Sequence, residues 1–263
     1  MEDAVIGLLD VVAEPLNLSP GGIIADIGCG YGADGSYLTK KLRCRVEGMT
    51  VSAKQWAHAQ QQGSSPDVSV KLADWIEMKP KANAYDGIIS LETLCHIAEK
   101  SRFFTHIETA LKPGARAAVT GLVVTPWAHR WLPGLLGSLC ARAKFPSLGT
   151  ANEWLEWSGA AGLNTVRFDN LTSKVFRTWP SILQRTTTRL PLAWARGLLP
   201  VAIGKAEWQL GLNAMMLQLA YLSGALEYRL LVVEKPAFDQ PEESAKRSTI
   251  EPIAPPANTA LTK

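Results

Sequence analysis

No run of about 18 uninterrupted apolar residues occurs in the chain, and a bilayer-spanning helix needs one. Its opening residues, MEDAVIGLLDVV, carry two acids where a secretory signal would carry basic residues. The expectation is a soluble cytoplasmic protein, at most peripheral to a membrane. Cysteine is scarce: Cys29, Cys44, Cys95 and Cys140 are the only four and form no CxxC pair, which leaves neither a zinc-binding pattern nor a disulfide framework. Charged residues make up 19% of the chain, and the formal net charge is only +3 with Lys and Arg spread along the sequence. A nucleic-acid partner is therefore not expected. No internal repeat is evident.

What the sequence does have is apolar content. Hydrophobic residues are 47% of 263, enough for one α/β core with local insertions rather than two independent domains. Residues 22–35, GIIADIGCGYGADG, read as a short strand that breaks into a glycine-rich turn and then a helix. Strands are expected at 44–49, 68–72 and 85–90, with helices at 53–62 and 101–111, and a fifth strand follows Pro113-Gly114. This alternation predicts a parallel sheet. Beyond residue 125 the chain turns rich in Trp, Leu, Pro and Arg, with a helix expected at 151–161, a strand at 164–169, a long helical region at 175–222 and a last strand at 226–234. The expected organisation is a cofactor-binding core over 1–125, then a substrate lid with the closing strands over 126–235. A disordered Pro- and Ser-rich tail is expected over 236–263.

Asp26-Ile-Gly28-Cys-Gly30-Tyr-Gly32 places glycines where a strand reverses into a helix, so that backbone can approach a nucleotide-like ligand and helix N–H groups can face it. Gly28-x-Gly30-x-x-Ala33 also fits the loose dinucleotide fingerprint, with Glu47 in reach of a ribose, so the glycines alone do not separate NAD from S-adenosylmethionine.

Over residues 20–125 the chain resembles the class I S-adenosylmethionine-dependent methyltransferases in motif after motif. Asp26, Gly28, Gly30 and Gly32 match the family's acid-x-Gly-x-Gly-x-Gly motif, whose acid supports the methionine end of the cofactor. Gly48-Met-Thr50-Val-Ser52-Ala-Lys-Gln55 is similar to the GITLSxxQ signature of tocopherol, sterol and cyclopropane-fatty-acid methyltransferases. The resemblance implies that Thr50, Ser52 and Gln55 bind the ribose and tail, with Thr50 in place of the usual acid. Ala73-Asp74-Trp75 looks like the adenine motif, Asp74 accepting from the amino group and Trp75 lying beside the ring, and Leu91 is expected at the cofactor as well. The implied fold is a Rossmann-like seven-stranded sheet, mostly parallel, with an antiparallel final strand and a helical lid inserted before it.

Methyl transfer from a sulfonium needs alignment, exclusion of water and, for some acceptors, removal of a proton. It requires no metal. After the fourth strand the chain reads Ser90-Leu-Glu92-Thr-Leu-Cys-His96, which puts Glu92 and His96 on one face if the segment is helical. The stretch resembles sterol and prenyl-diphosphate C-methyltransferases, in which such a Glu stabilises or deprotonates a cation, and His96 would serve as general base for a phenol or amine. A plainer role for both, helix cap and structural histidine, stands beside it. Residues 168–182 and 224–236 resemble the C-terminal part of tocopherol methyltransferases, where a lid shapes an apolar pocket. Phe176, Trp179, Met215, Met216 and Tyr221 are the expected pocket walls. The expected activity is C-methylation of an isoprenoid or similar small apolar natural product, with O- or N-methylation of an aromatic metabolite as the alternative. A reductase or a non-catalytic binding protein is more remote. Trp127 to Leu136 also mixes aromatics, Arg and Leu in the manner of a membrane-surface segment. Only about twenty residues precede the glycine loop, where the resembled proteins have a longer cover over the cofactor, so closure is expected from the lid or a second subunit, in a monomer or homodimer.

Overall fold

The structure is a computed structural model and describes residues 2–61, 66–175 and 215–237. Seven strands form one sheet: β1 (Ile23–Ile27), β2 (Arg45–Thr50), β3 (Val68–Leu72), β4 (Tyr85–Leu91), β5 (Leu111–Val124), β6 (Asn164–Asn170) and β7 (Leu226–Glu234), in the order β3-β2-β1-β4-β5-β7-β6. The first five are parallel, and β7 runs antiparallel between β5 and β6. The expected fold class is therefore the one observed.

Alternation along the inner strands sorts their side chains to two faces. Ile24 and Ile89 join Val12, Leu16, Leu38 and Tyr228 on one side, while Ala25 and Ile88 join Phe103, Phe104, Ile107 and Trp154 on the other. Covered on both faces, β1 and β4 show no regular apolar–polar alternation and read as mostly apolar runs, broken by Asp26 in β1 and by Asp86 and Ser90 in β4. On the first face lie α1 (Glu2–Ala13) and α2 (Ala33–Leu42), and α3 (Ala53–Gln61) packs by β3 and β2; α4 (Lys100–Ala110) and α7 (Ala151–Ala160) lie on the second face. Helix α1 is an element the sequence reading did not draw. Its Leu9, Val12 and Ala13 are buried.

Several expected boundaries move slightly. The second strand runs through Gly48 to Thr50 rather than ending at Met49. Gly48 is mid-strand because a Cβ there would meet Cys29 Sγ at 2.7 Å. Between β5 and α7 come two short helices, α5 (Pro126–Trp131) and α6 (Pro133–Ala143), which the sequence reading had left undivided. The helix at 151–161 is found as α7, begun by a capping box between Thr150 and Glu153. Of the long helical region expected at 175–222, the described parts are Val175, which ends α8 (Thr172–Val175), and the helical residues 215–222. The tail from 238 onward lies outside the described residues. The carboxyl ends of the parallel strands gather at one edge, where the loops after β1, β2, β3 and β4 meet.

Candidate active site

The three glycines after β1 share a positive φ, +79° at Gly28, +57° at Gly30 and +77° at Gly32, but they face different surroundings. A Cβ on Gly28 would lie 2.0 Å from Thr93 Oγ1, and one on Gly32 would lie 2.9 Å from Val70 Cγ2. Only the Gly30 position opens on empty space. Gly28 is thus demanded by packing: Thr93 Oγ1, 3.0 Å from Ile27 O, fastens the end of β4 to the end of β1. The loop's amides are partly self-satisfied, Gly28 and Cys29 donating to Met49 O and Gly32 to Cys29 O. What remains for a ligand is the concave room over Gly30 and the uncapped first turn of α2.

Asp26 sits under this loop, buried, and no cation among the described residues stands against it. Its carboxyl is pushed up to about 7, first by burial and then by the negative charge of Asp34. Asp34, in the first turn of α2, is itself raised by burial. Two carboxylates without a counter-ion beneath an open glycine turn suit a ligand that carries positive charge. Sequence reasoning had passed over Asp34, although its place in the first helical turn directly after the glycines was the available signal. Cys29 beside them is no nucleophile: burial, aided by Asp26, pushes its thiol up to about 12.

The β2 loop is built from its own polar groups. Thr50 Oγ1 donates to Gln55 Oε1 at 2.6 Å and accepts from Ser52 N at 3.2 Å, and Ser52 Oγ accepts from Gln55 N at 3.4 Å. Thr50 is buried and spends its hydroxyl on orienting Gln55, so Gln55's amide is the group left to reach a ribose. Glu47, the acid of the dinucleotide alternative, points elsewhere: it pairs with Lys71 at 2.7 Å and accepts from Tyr85 Oη at 3.2 Å.

At the β3 loop, Asp74 is exposed and its Oδ1 accepts from Ile76 N at 2.8 Å, which leaves Oδ2 for an exocyclic amine. Trp75 departs from expectation. It is 3% exposed, its Nε1 directed at Phe103 O and its ring edge-on to His106, whose Nδ1 lies 2.8 Å from Trp75 O. The indole is core packing rather than a lid on adenine. Leu91, half-buried at the end of β4, packs on the first-face core.

The segment after β4 is not an α-helix, so the expected shared face of Glu92 and His96 does not exist. Glu92 has φ +54°, Thr93 is helical, and Leu94–His96 is one 3₁₀ turn. A non-glycine residue in the left-handed region costs about 1–2 kcal/mol and needs its surroundings to hold it. Glu92 N donates to Thr120 O at 3.1 Å. Its side chain presents surface, yet enough protein surrounds it that desolvation raises its pKa, with a hydrogen bond from Tyr228 pulling the other way. Together these describe a carboxyl in the wall of a recess. Tyr228, 1% exposed on β7, also places its hydroxyl 3.0 Å from Thr120 Oγ1, and burial with Glu92's charge raises it well above the ordinary tyrosine value. Tyr228 was the functional neighbour missed in sequence, since nothing local ties it to Glu92.

His96 is exposed and stands edge-on to Phe145 at 5.1 Å between ring centroids. Glu92 and His96 thus have different partners. Cys95 lies buried between them, its thiol pushed up to about 12. Of the expected pocket walls, Tyr221 is buried and close enough to Tyr228 to influence it, and Met216 is half-buried on the same core. Met215 is 43% exposed. Phe176 and Trp179 lie outside the described residues.

Comparison with known proteins decides what this edge belongs to. The family described as mycolic acid cyclopropane synthetase matches residues 1–189. The chain is a member of that family. That family belongs to the class I S-adenosylmethionine-dependent methyltransferases, and S-adenosylmethionine is the family's cofactor. A probable chloroplastic tocopherol O-methyltransferase of Oryza sativa subsp. japonica is 24% identical over 235 residues, covering 82% of this chain and 61% of the rice protein. The chain therefore spans under two thirds of that relative's length. The cyclopropane synthase MmaA2 of Mycobacterium tuberculosis superposes with TM-score 0.75 at 22% identity over 88% of this chain and 84% of that one. Geranyl diphosphate C-methyltransferase of Streptomyces coelicolor A3(2) superposes with TM-score 0.69 at 15% identity over 87% and 80%. These superpositions speak to the fold.

The residues present fit the family's cofactor. Room over Gly30, the unpaired Asp26 and Asp34, the Gln55 amide and Asp74 Oδ2 offer a place for backbone approach, counter-charge, a ribose donor and an adenine acceptor, all at one sheet edge.

Proposed function

We propose that this chain transfers a methyl group from S-adenosylmethionine to a small, largely apolar acceptor, and that the preferred acceptor atom is an electron-rich carbon of an isoprenoid or similarly unsaturated molecule. The observation that carries the reading is Glu92: a carboxyl held in left-handed backbone at the end of β4, in a recess, with Tyr228 bonded to it. Bound S-adenosylmethionine would supply an electrophilic methyl on a sulfonium, its carbon–sulfur bond breaking as the new bond to the acceptor forms, so that S-adenosylhomocysteine leaves as a neutral thioether. Asp26 and Asp34 answer the positive charge on the ligand, and Gln55 and Asp74 fix its nucleoside end. When a carbon–carbon double bond of the acceptor gives its electron pair to the methyl, a cationic carbon is left beside it. Glu92 stands to stabilise that charge as carboxylate and to take the proton whose loss restores the double bond. Its raised pKa keeps it a better base than an exposed glutamate. The nearby Tyr228 hydroxyl favours the charged form of Glu92 and so opposes the effect of burial.

A geranyl diphosphate C-methyltransferase among the structural neighbours and a cyclopropane-fatty-acyl-phospholipid synthase among the relatives, the first named for C-methylation of an isoprenoid and the second for a lipid product, support the preference. A second reading has its own observation. His96 is exposed at the rim and oriented by Phe145, as a general base for a phenol or amine would be, and the tocopherol relatives support it. Mass spectrometry with methyl-deuterated S-adenosylmethionine tests both, using one acceptor pool of terpenoids and prenyl diphosphates and another of phenols, quinols and aromatic amines. Label in the terpenoid pool that Glu92→Gln abolishes supports the first reading. Label confined to aromatics and sensitive to His96→Ala replaces it with the second.

A further inference from the structure

We propose that the outer face of α5 and α6 docks on an anionic lipid bilayer and sets the mouth of the recess against the membrane. Along these helices Trp127, Trp131 and Leu135 recur at intervals of four and are all exposed, Trp131 by 69% and Trp127 by 42%. On the opposite side Ala128 and Leu139 are buried and Leu132 and Leu136 pack on the core. The pair of helices is therefore amphipathic with its large apolar side chains on the wrong side for a protein ending in water. Cations accompany them: Arg130, Arg142 and Lys144 are exposed, and the Arg130 guanidinium lies 5.2 Å from the Trp131 ring. From residue 126 to residue 152 the sequence contains no Asp or Glu.

Indoles interleaved with arginines, and no acid among them, match the interfacial zone of a bilayer, where rings settle at headgroup depth and cations meet lipid phosphates. A second copy of the chain suits the face less well, because a twofold contact would set the acid-free, cationic patch against itself. No helix among the described residues is long and apolar enough to cross a membrane, so the contact is one of surface. The placement gives the contact a purpose. Helix α5 begins where β5 ends, at the edge that carries Glu92, and Phe145 just beyond α6 stands against His96. Trp127 Nε1 donates to Gly224 O at 3.0 Å, joining α5 to the end of the 215–222 helix, where Leu219 and Leu222 are also exposed. An apolar acceptor dissolved in the bilayer would reach the recess without crossing water. That purpose rests on the apolar-acceptor reading; the test does not, since it measures binding without turnover.

The full chain is sedimented with phosphatidylcholine vesicles, with and without added phosphatidylglycerol, at low and high salt. Binding is expected to the anionic vesicles only, weakened by salt, and about tenfold lower for Trp131→Glu and for the pair Arg130→Glu with Arg142→Glu. Melting midpoint and S-adenosylmethionine affinity of the variants should match the unaltered chain. Brominated acyl chains should quench tryptophan emission of the unaltered chain on binding. Failure to bind anionic vesicles, binding without quenching, or equal binding by folded variants overturns the proposal. So does a dimer that Trp131→Glu splits in a chain with no affinity for vesicles, which would give the face to a second copy.

Discussion

The cofactor side of the carboxyl edge and the side around Glu92 are built from contacts of different reach. After β1 and β2 the parts hold one another locally: Thr50 bonds Gln55 five residues on, Asp74 bonds Ile76 two residues on, and Gly28 and Cys29 lean on Met49 across a single strand pair. Around Glu92 the partners are distant, Tyr228 meeting Thr120 across 108 residues and Thr125 meeting Gly224 across 99. A ligand site that recurs with every substrate can be fixed in short loops. The acceptor site proposed around Glu92 draws on the far end of the chain, which can be replaced without disturbing the first.

The comparison can be broken at Glu92. Glu92→Gln should lower turnover by roughly 10²–10⁴-fold with cofactor affinity unchanged in calorimetry, as for loss of a general base. A matching loss of cofactor binding would merge the two sides. Next in size, Gly28→Ala sets a Cβ against Thr93 and should cost about 3 kcal/mol or more in chemical denaturation. Gly30→Ala, in open space, should cost only about 1 kcal/mol of backbone strain while weakening cofactor binding much more.

Asp26→Asn comes third. Asp26's carboxyl, at about 7 in the fold, lies above the ordinary aspartate value, so the folded chain holds a proton that the unfolded chain releases near 4. The stability this group contributes is therefore present at acid pH and falls as pH rises through about 7. At pH 8 the Asn variant should be more stable than the cofactor-free parent by about 1–3 kcal/mol, and should bind S-adenosylmethionine more weakly by about 2 kcal/mol. Equal pH dependence of the two melting curves would sink this account. Smallest is Tyr228→Phe. Losing the hydrogen bond that lowers Glu92 lets its pKa climb further, so the acid limb of the rate profile should move to higher pH, with rate lost by about tenfold at most near neutrality. A uniform fall at every pH would mark Tyr228 as packing alone.

These reaches explain what the sequence disclosed. Strands β1, β3 and β7 were legible because burial on both faces or clear flanking turns wrote them into adjacent residues, and the loops proposed to hold the cofactor at Gly30, Gln55 and Asp74 keep their contacts within the same short stretches as their motifs. Trp75 was misplaced since a motif gives the order of residues but not which face an indole takes; Phe103, which holds it, is 28 residues away. The shared face of Glu92 and His96 failed for a related reason. Spacing of four implies a face only where φ is helical, and the left-handed turn at Glu92 is imposed by Thr120 and the strands around it.

The left-handed backbone at Glu92 has an evolutionary consequence. Glycine or asparagine would sit there with less strain, so a screen that rewards heat resistance alone should discard this glutamate early. Lineages that keep it under such pressure would be recording a demand other than folding, and thermostable derivatives of this enzyme should be sequenced at position 92 before their loss of activity is blamed on rigidity.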